Sequence, residues 1–202
     1  MGENGSGKST ILEAIAAHCG FNLSSGASHL YENQSDAAPL AKIIRFAWTQ
    51  RVTNGFFLRA ESFFNFANYI DELAKEEGPI AYNAYNGKSL HAQSHGEAFL
   101  TLFLNRFGRR GIYLLDEPES ALSPQRQLAF IKILMELTRS GDHQVVMATH
   151  SPMLMAIPES TLLFIDGTKL VERNFRATEH YSILRRFLDD PDKFIAELMA
   201  DD

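Results

Sequence analysis

The order of apolar and polar residues along the chain predicts an α/β domain built on a mostly parallel sheet. Residues 112–115 are four consecutive apolar residues, typical of a strand that helices cover on both faces. Residues 144–149 predict a second strand. Phe63, Phe66 and Ile70 recur at helical spacing ahead of these strands, so we expect helices to flank the sheet.

An antiparallel hairpin and a helical segment are predicted to form a lobe, at about residues 41–107, inserted into this sheet. Residues 43–48 alternate between apolar and polar types, as in a half-buried strand. A turn at Asn54-Gly55 then leads to a second predicted strand over 56–61. Two such stretches joined by a turn are typical of a hairpin.

The other residues, about 1–20 and 108–202, are predicted to form the main lobe of a single domain that spans the whole chain. Within this lobe, the apolar stretches and the turn between residues 161 and 173 predict a second hairpin. Two short helices are predicted around residues 179–188 and 192–200.

Composition narrows the class of protein. A chain of 202 residues with a net charge of -6 has no overall basic field that would indicate nucleic acid or an anionic membrane as a partner. Its single cysteine, Cys19, favours a reducing setting. The sequence contains neither a signal peptide nor an apolar run long enough to cross a membrane, so we expect a soluble, cytoplasmic protein.

A phosphate-binding motif opens the chain. Residues 2–9 read GENGSGKS and match the pattern G-x-x-x-x-G-K-[ST], in which glycines let backbone N–H groups surround phosphate at a helix N-terminus. Lys8 is expected to reach the β- and γ-phosphates, and the Ser9 hydroxyl to hold Mg²⁺. Such a loop normally follows a buried strand, so we expect strands upstream of it. The residues predicted to bind nucleotide here are Gly2, Glu3, Asn4, Gly5, Ser6, Gly7, Lys8, Ser9 and Thr10.

Polar residues follow both predicted strands at their carboxyl ends, where open α/β sheets bind ligands. Asp116 and Glu117 come directly after the first strand, and His150 follows the second. Asp116 is expected to hold Mg²⁺ with Ser9, and Glu117 to act as a base or orient water. His150 would contact the γ-phosphate. The alternatives are a solvated acidic turn and a structural histidine.

Ser94 and Gly96 stand at the start of another predicted helix, where a hydroxyl and a backbone N–H form a second anion site that lacks a lysine. Glu97 follows them.

In order and spacing these motifs resemble the ATP-binding-cassette (ABC) ATPase family, and within it a soluble "AAA-family predicted ATPase" branch close to chromosome-maintenance and DNA-repair ATPases. Residues 2–10 match Walker A, residues 94–97 the signature, and residues 112–117 Walker B. Residues 120–123 match the D-loop, and His150 matches the H-loop. The resemblance implies a P-loop fold that binds ATP and Mg²⁺ and hydrolyses ATP.

The resemblance also implies a head-to-tail homodimer that closes on two ATP molecules. Ser94, Gly96 and Glu97 of one subunit would then meet the nucleotide held by the other. The sequence departs from the family at the signature, where His95 replaces a glycine, and in the D-loop, where Ser123 replaces an aspartate.

The glutamine of the Q-loop, another motif of the family, has no clear counterpart. Glu61 or Gln50 is the candidate for its position.

The leading hypothesis is therefore an ATPase that forms a dimer when it binds ATP and acts on an unknown partner. A nucleotide-gated clamp on DNA or protein with slow hydrolysis is one alternative. A nucleotide-binding subunit of a transporter is another, although the missing Q-loop disfavours it. A P-loop kinase would leave residues 94–97 and His150 without a purpose.

Overall fold

The computed structural model describes residues 5–21, 38–49, 52, 54–60, 63–85, 87–106, 110–167 and 169–200. The chain divides into two compact units. One comprises Gly7–Thr149, and the other comprises Met1–Ser6 together with His150–Asp202.

A parallel sheet of three strands forms the centre of the Gly7–Thr149 unit. Strands β1 (Gly55–Arg59), β2 (Gly111–Asp116) and β3 (His143–Ala148) lie side by side in that order. Every residue of β2 is buried, as expected for a central strand that helices cover on both faces. The strand register aligns Arg59 with Asp116 and Asp116 with Ala148, so all three strands end at the same level.

Helix α1 (Lys8–Cys19) covers one face of this sheet. Its buried Leu12 and Ala16 belong to a core cluster whose other members come from all three strands and from the segment after the helix. The members outside α1 are Phe21, Phe57, Ile112, Leu114 and Ala148. Because alternate residues of a strand share a face, Arg59 and Asp116 lie on the same face of the sheet as Phe57 and Leu114, towards α1.

An aromatic layer covers the opposite face. Phe103 of helix α4 (His95–Arg106) has no exposed surface and lies 5.7 Å from Phe56 of β1 between ring centroids. Phe130 of helix α5 (Pro124–Thr138) lies 4.8 Å from Phe103. Such edge-to-face pairs stabilise a core beyond the apolar area they bury. With α1 on one face and these helices on the other, the unit has three layers, as the sequence predicted.

The predicted antiparallel hairpin is wrong. Residues 44–48 form no strand, and β1 joins the central sheet in parallel pairing with β2. The alternation of residues 44–48 still reports burial, because Ile44, Phe46 and Trp48 are half-buried between exposed neighbours. Alternation shows which side chains face the protein; it does not show that the backbone pairs with another strand.

The helices between the strands lie close to their predicted positions. Helix α3 (Phe63–Glu77) follows β1, and a short helix that was not predicted, α2 (Ala38–Ile43), precedes β1. Short 3-10 helices occupy Pro79–Tyr85, Leu90–Ala92 and Pro118–Ala121.

The second unit contains the predicted C-terminal hairpin and both predicted helices. Strands β4 (Leu163–Asp166) and β5 (Lys169–Glu172) pair antiparallel. A short helix, α6 (Pro152–Met155), precedes them, and α7 (Glu179–Asp189) and α8 (Pro191–Ala200) follow a 3-10 turn at Phe175–Ala177. None of the described helices is both long enough and apolar enough to cross a bilayer. The division into two lobes stays a prediction.

The aromatic layer gives a test of the core. We expect Phe103→Ala to reduce the free energy of unfolding by about 3–5 kcal/mol, because it leaves a cavity among Phe56, Phe99 and Phe130. The neighbouring Leu104 is 60% exposed, so Leu104→Ala should cost less than about 0.5 kcal/mol. Urea unfolding of the full chain measures both values. Equal effects would contradict the assignment of this face to the core.

Candidate functional site

The described part of the predicted phosphate-binding loop turns at two glycines ahead of α1. Gly7 caps the helix with φ 90° and ψ 14°, and Gly5 has φ 79°, both in the left-handed region that favours glycine. Among the described residues, a Cβ added at either glycine would meet nothing within 4 Å. The N-cap residue, Gly7, has no side chain that could cap this helix end, so the N–H groups of the first turn suit an anion. Lys8 is 8% exposed and Thr10 is half-buried.

Three predicted nucleotide-binding residues, Gly2, Glu3 and Asn4, lie outside the described residues. Ser6 lies between the two glycines of the loop and is half-buried.

The structure brings together Ser9 and Asp116, the two predicted ligands of Mg²⁺. The Ser9 hydroxyl donates a hydrogen bond of 3.1 Å to Oδ1 of Asp116. Asp116 is 3% exposed, and its place at the end of β2 turns its carboxylate towards α1. A serine hydroxyl and a carboxylate oxygen are the hard ligands that Mg²⁺ prefers, so this pair fits the metal that the motif implies.

Arg59, at the end of β1, also contacts Asp116, and sequence reasoning did not find it. Its Nε donates a 3.0 Å hydrogen bond to Oδ2 of Asp116, and its terminal nitrogen pairs with Glu13 of α1. Burial would lower the pKa of Arg59, but the hydrogen bonds to Glu13 and Asp116 raise it above its usual value. The parallel register of β1 was the missing information, since it places Arg59 beside Asp116.

Glu117 has a strained backbone. Its φ of 50° and ψ of 51° lie in the left-handed region, which costs a residue with a side chain about 1–2 kcal/mol. The Glu117 N–H donates to the Ala148 carbonyl at 2.9 Å, and its own carbonyl accepts from the Ser120 hydroxyl at 2.8 Å. These two bonds hold the turn immediately after the strand. Strain of this kind concentrates at functional sites.

His150 lies two residues beyond the end of β3, at the start of the second structural unit. The next residue, Ser151, caps α6 by accepting hydrogen bonds from the N–H groups of Met153 and Leu154. The predicted contact of His150 with the γ-phosphate stays a prediction. The two Q-loop candidates, Gln50 and Glu61, lie outside the described residues.

The signature residues form the capped start of α4. The N–H of Ser94 donates to the Glu97 carboxylate, as in one half of a capping box, and the Ser94 hydroxyl donates to the same carboxylate. Arg126 of α5 donates to the Ser94 hydroxyl at 2.8 Å and lies 3.6 Å from Glu97. The hydrogen bonds from Ser94, and then the charge of Arg126, lower the pKa of Glu97 below its usual value.

Gly96 makes room for that arginine. A Cβ at Gly96 would lie 2.5 Å from Cδ of Arg126 and 2.6 Å from one of its terminal nitrogens. The packing of Arg126 against the signature is a second feature that the sequence did not reveal. It explains the small residue at position 96 by local packing, and the predicted contact of Ser94, Gly96 and Glu97 with nucleotide stays a prediction.

Comparison with known proteins relates the chain to ATP-binding proteins. Residues 90–156 match the family described as "AAA domain, putative AbiEii toxin, Type IV TA system". The cytochrome c biogenesis ATP-binding export protein CcmA of Rhodopseudomonas palustris (strain HaA2) is 27% identical over 161 residues, which cover 76% of this chain and 77% of the relative. The "Probable ATP-dependent transporter ycf16" of Antithamnion sp. is 26% identical over 182 residues, with 77% of this chain and 70% of the relative covered.

The lowered pKa of Glu97 gives a test of the hydrogen bonds between Ser94 and the Glu97 carboxylate. Its ionised form stabilises the fold above the ordinary carboxyl pKa, and this contribution is lost as the pH falls through the lowered value. We therefore expect Glu97→Gln to be less stable than the wild type at pH 7, with a difference that shrinks as the solution is acidified below the ordinary pKa. Urea unfolding at several pH values measures it. A difference that does not change with pH would contradict the charge contribution.

Proposed function

We propose that this chain is an ABC-type P-loop ATPase that binds Mg·ATP at the start of α1 and hydrolyses it to ADP and phosphate. Its fold, its family match and its relatives support this proposal. The observation that carries the proposal is the hydrogen bond between Ser9 and Asp116. It joins the phosphate-loop helix to the end of the central strand, where the two oxygens suit Mg²⁺.

Each site residue has a role in this reaction. The phosphate-loop motif of residues 2–10 binds the phosphates, and Lys8 neutralises the β- and γ-phosphates. Mg²⁺, when bound by Ser9 and Asp116, supplies positive charge that stabilises the charge developing on the phosphate oxygens.

Glu117 orients a water molecule and accepts its proton as the water oxygen bonds to the γ-phosphorus. The bond from that phosphorus to the bridging oxygen of ADP breaks at the same stage. The left-handed turn at Glu117 supports this role, because it redirects the chain directly after Asp116 and so brings a second carboxylate to the end of the same strand. The resemblance to ABC ATPases assigns the contact with the γ-phosphate to His150.

ATP also brings two copies of the chain together in this proposal. The resemblance to ABC ATPases supports a head-to-tail dimer in which Ser94, Gly96 and Glu97 of one copy complete the site of the other. The capped start of α4 presents these three residues together. Closure of the dimer on ATP, and its opening after hydrolysis, would act on a DNA or protein partner.

A transporter subunit is a second candidate function, favoured by the printed names of both relatives, an export protein and a transporter. In that case the ATPase would work with a separate membrane protein. Two results would favour a clamp that closes on DNA: DNA stimulates ATP hydrolysis, and the binding of DNA weakens as the salt concentration rises. Recovery of a membrane protein in a complex that ATP stabilises favours the transporter subunit.

The proposed mechanism predicts that one variant loses ATP hydrolysis alone and that another loses ATP binding. We expect Glu117→Gln to reduce the rate of phosphate release by about a hundredfold or more while it still binds ATP, because general-base assistance is lost and the phosphate loop is intact. Lys8→Ala should lose ATP binding itself. Phosphate release and the binding of a fluorescent ATP analogue measure the two effects.

Glu136→Gln is the matched control, since Glu136 lies on the exposed part of α5 and pairs with Lys132. It should hydrolyse ATP at the wild-type rate. Full turnover by Glu117→Gln would refute the role of Glu117, and a wild type that binds no Mg·ATP would refute the function.

A further inference from the structure

Four side chains form a closed loop of contacts at the carboxyl ends of β1 and β2. Ser9 donates to one oxygen of Asp116, Arg59 donates to the other oxygen, and the far side of Arg59 pairs with Glu13. Glu13 returns the loop to α1, the helix that carries Ser9. Two strands of the sheet, β1 and β2, and the helix that covers them, α1, are therefore joined at one point.

The local geometry explains why the loop closes. Ser9 and Glu13 are four residues apart on α1, so both side chains lie on the same face of the helix. The register of β1 and β2 places Arg59 beside Asp116, on the sheet face that α1 covers. Arg59 is also steadied by Phe57, since its guanidinium carbon lies 5.7 Å from the centre of that ring.

Each carboxylate oxygen of Asp116 has a different hydrogen-bond partner. Oδ2 accepts from Nε of Arg59 at 3.0 Å, which leaves Oδ1 directed at the Ser9 hydroxyl. A carboxylate that is 3% exposed has little water to hold it in one orientation, so its hydrogen-bond partners set its direction. Arg59 thus fixes the rotation of the carboxylate that faces the Mg²⁺ site.

The charges of these side chains indicate that Arg59 orients Asp116 and does not compete with Mg²⁺ for it. A lone arginine beside Asp116 would cancel the negative charge that attracts Mg²⁺. Glu13, whose side chain is 15% exposed, balances Arg59, so that the pair has no net charge and Asp116 keeps its own. A planar guanidinium suits this task, because it donates from two edges at once in a fixed geometry.

We propose that Arg59, held in place by Glu13, is a positioning residue for the Mg²⁺ that Ser9 and Asp116 bind. This inference rests on the proposed function, since it concerns the metal of the same site. Groups that orient a metal ligand typically change metal affinity by about 10–100-fold when they are removed.

The test measures the Mg²⁺ concentration at which the full chain reaches half-maximal binding of a fluorescent, slowly hydrolysed ATP analogue, starting from EDTA. We expect Arg59→Met to raise this concentration about tenfold or more, with binding in EDTA changed far less. Arg59→Lys should raise the same concentration nearly as much, because an ammonium group cannot donate to Asp116 and Glu13 from a planar group of fixed geometry. Glu13→Gln should raise the midpoint several-fold, roughly in line with the loss of a nearby negative charge, and should not weaken binding in EDTA.

Arg186→Met is the matched control. Arg186 also pairs with a glutamate, Glu197, and lies over an aromatic ring, that of Phe194, but it belongs to the second unit. This variant should keep the wild-type Mg²⁺ midpoint. Thermal unfolding of each variant shows whether it is folded. If Arg59→Met does not fold, Glu13→Gln provides the test. Glutamine still offers Arg59 an oxygen acceptor, so this variant keeps the contact without the charge.

The outcomes separate the inference from the proposed function. If the wild type requires Mg²⁺ and Arg59→Met has the same midpoint, Arg59 has no positioning role while the ATPase stands. Full rescue by Arg59→Lys, or equal weakening with Mg²⁺ and in EDTA, also overturns the inference, because either result indicates a general effect of charge or stability. A wild type that binds no nucleotide in either condition refutes the proposed function and the inference with it.

Discussion

The buried carboxylate of Asp116 is the constraint on which the site depends. A charged group removed from water is costly unless other groups pair with it and hydrogen-bond to it. Here Ser9 satisfies one oxygen and Arg59 the other. These contacts require α1 to cross the ends of β1 and β2, so the position of the phosphate loop and the identity of the neighbouring strand are set by the same interaction.

The surrounding fold holds that interaction in place from both sides of the sheet. Apolar residues of α1 pack on one face, and the aromatic layer of α4 and α5 packs on the other. The same two helices carry the signature, because Ser94 caps α4 and Arg126 of α5 reaches over Gly96 to it. The strained turn at Glu117 then places a second acidic residue directly after Asp116. Packing and site are therefore parts of one arrangement in the Gly7–Thr149 unit.

Much of this arrangement was predictable from sequence where the signal was local. The glycines of the phosphate loop, the apolar run of β2 and the acidic pair after it each indicate a structure within a few residues. Strand pairing is not local, so the alternation at residues 44–48 was interpreted as half of a hairpin, and β1 was assigned to the wrong partner. For the same reason Arg59 and Arg126 were missed. Each has its role through a contact with a residue more than thirty positions away in the chain.

The central claim is that Ser9 and Asp116 bind the metal of Mg·ATP, and a change of metal preference tests it most directly. Ser9→Cys, made in a chain whose Cys19 is replaced by alanine, substitutes a soft ligand for a hard one. We expect this variant to bind an ATP analogue poorly with Mg²⁺ and to recover with Cd²⁺, whereas the Cys19→Ala parent prefers Mg²⁺. The same preference for Mg²⁺ in both chains would contradict metal binding at Ser9.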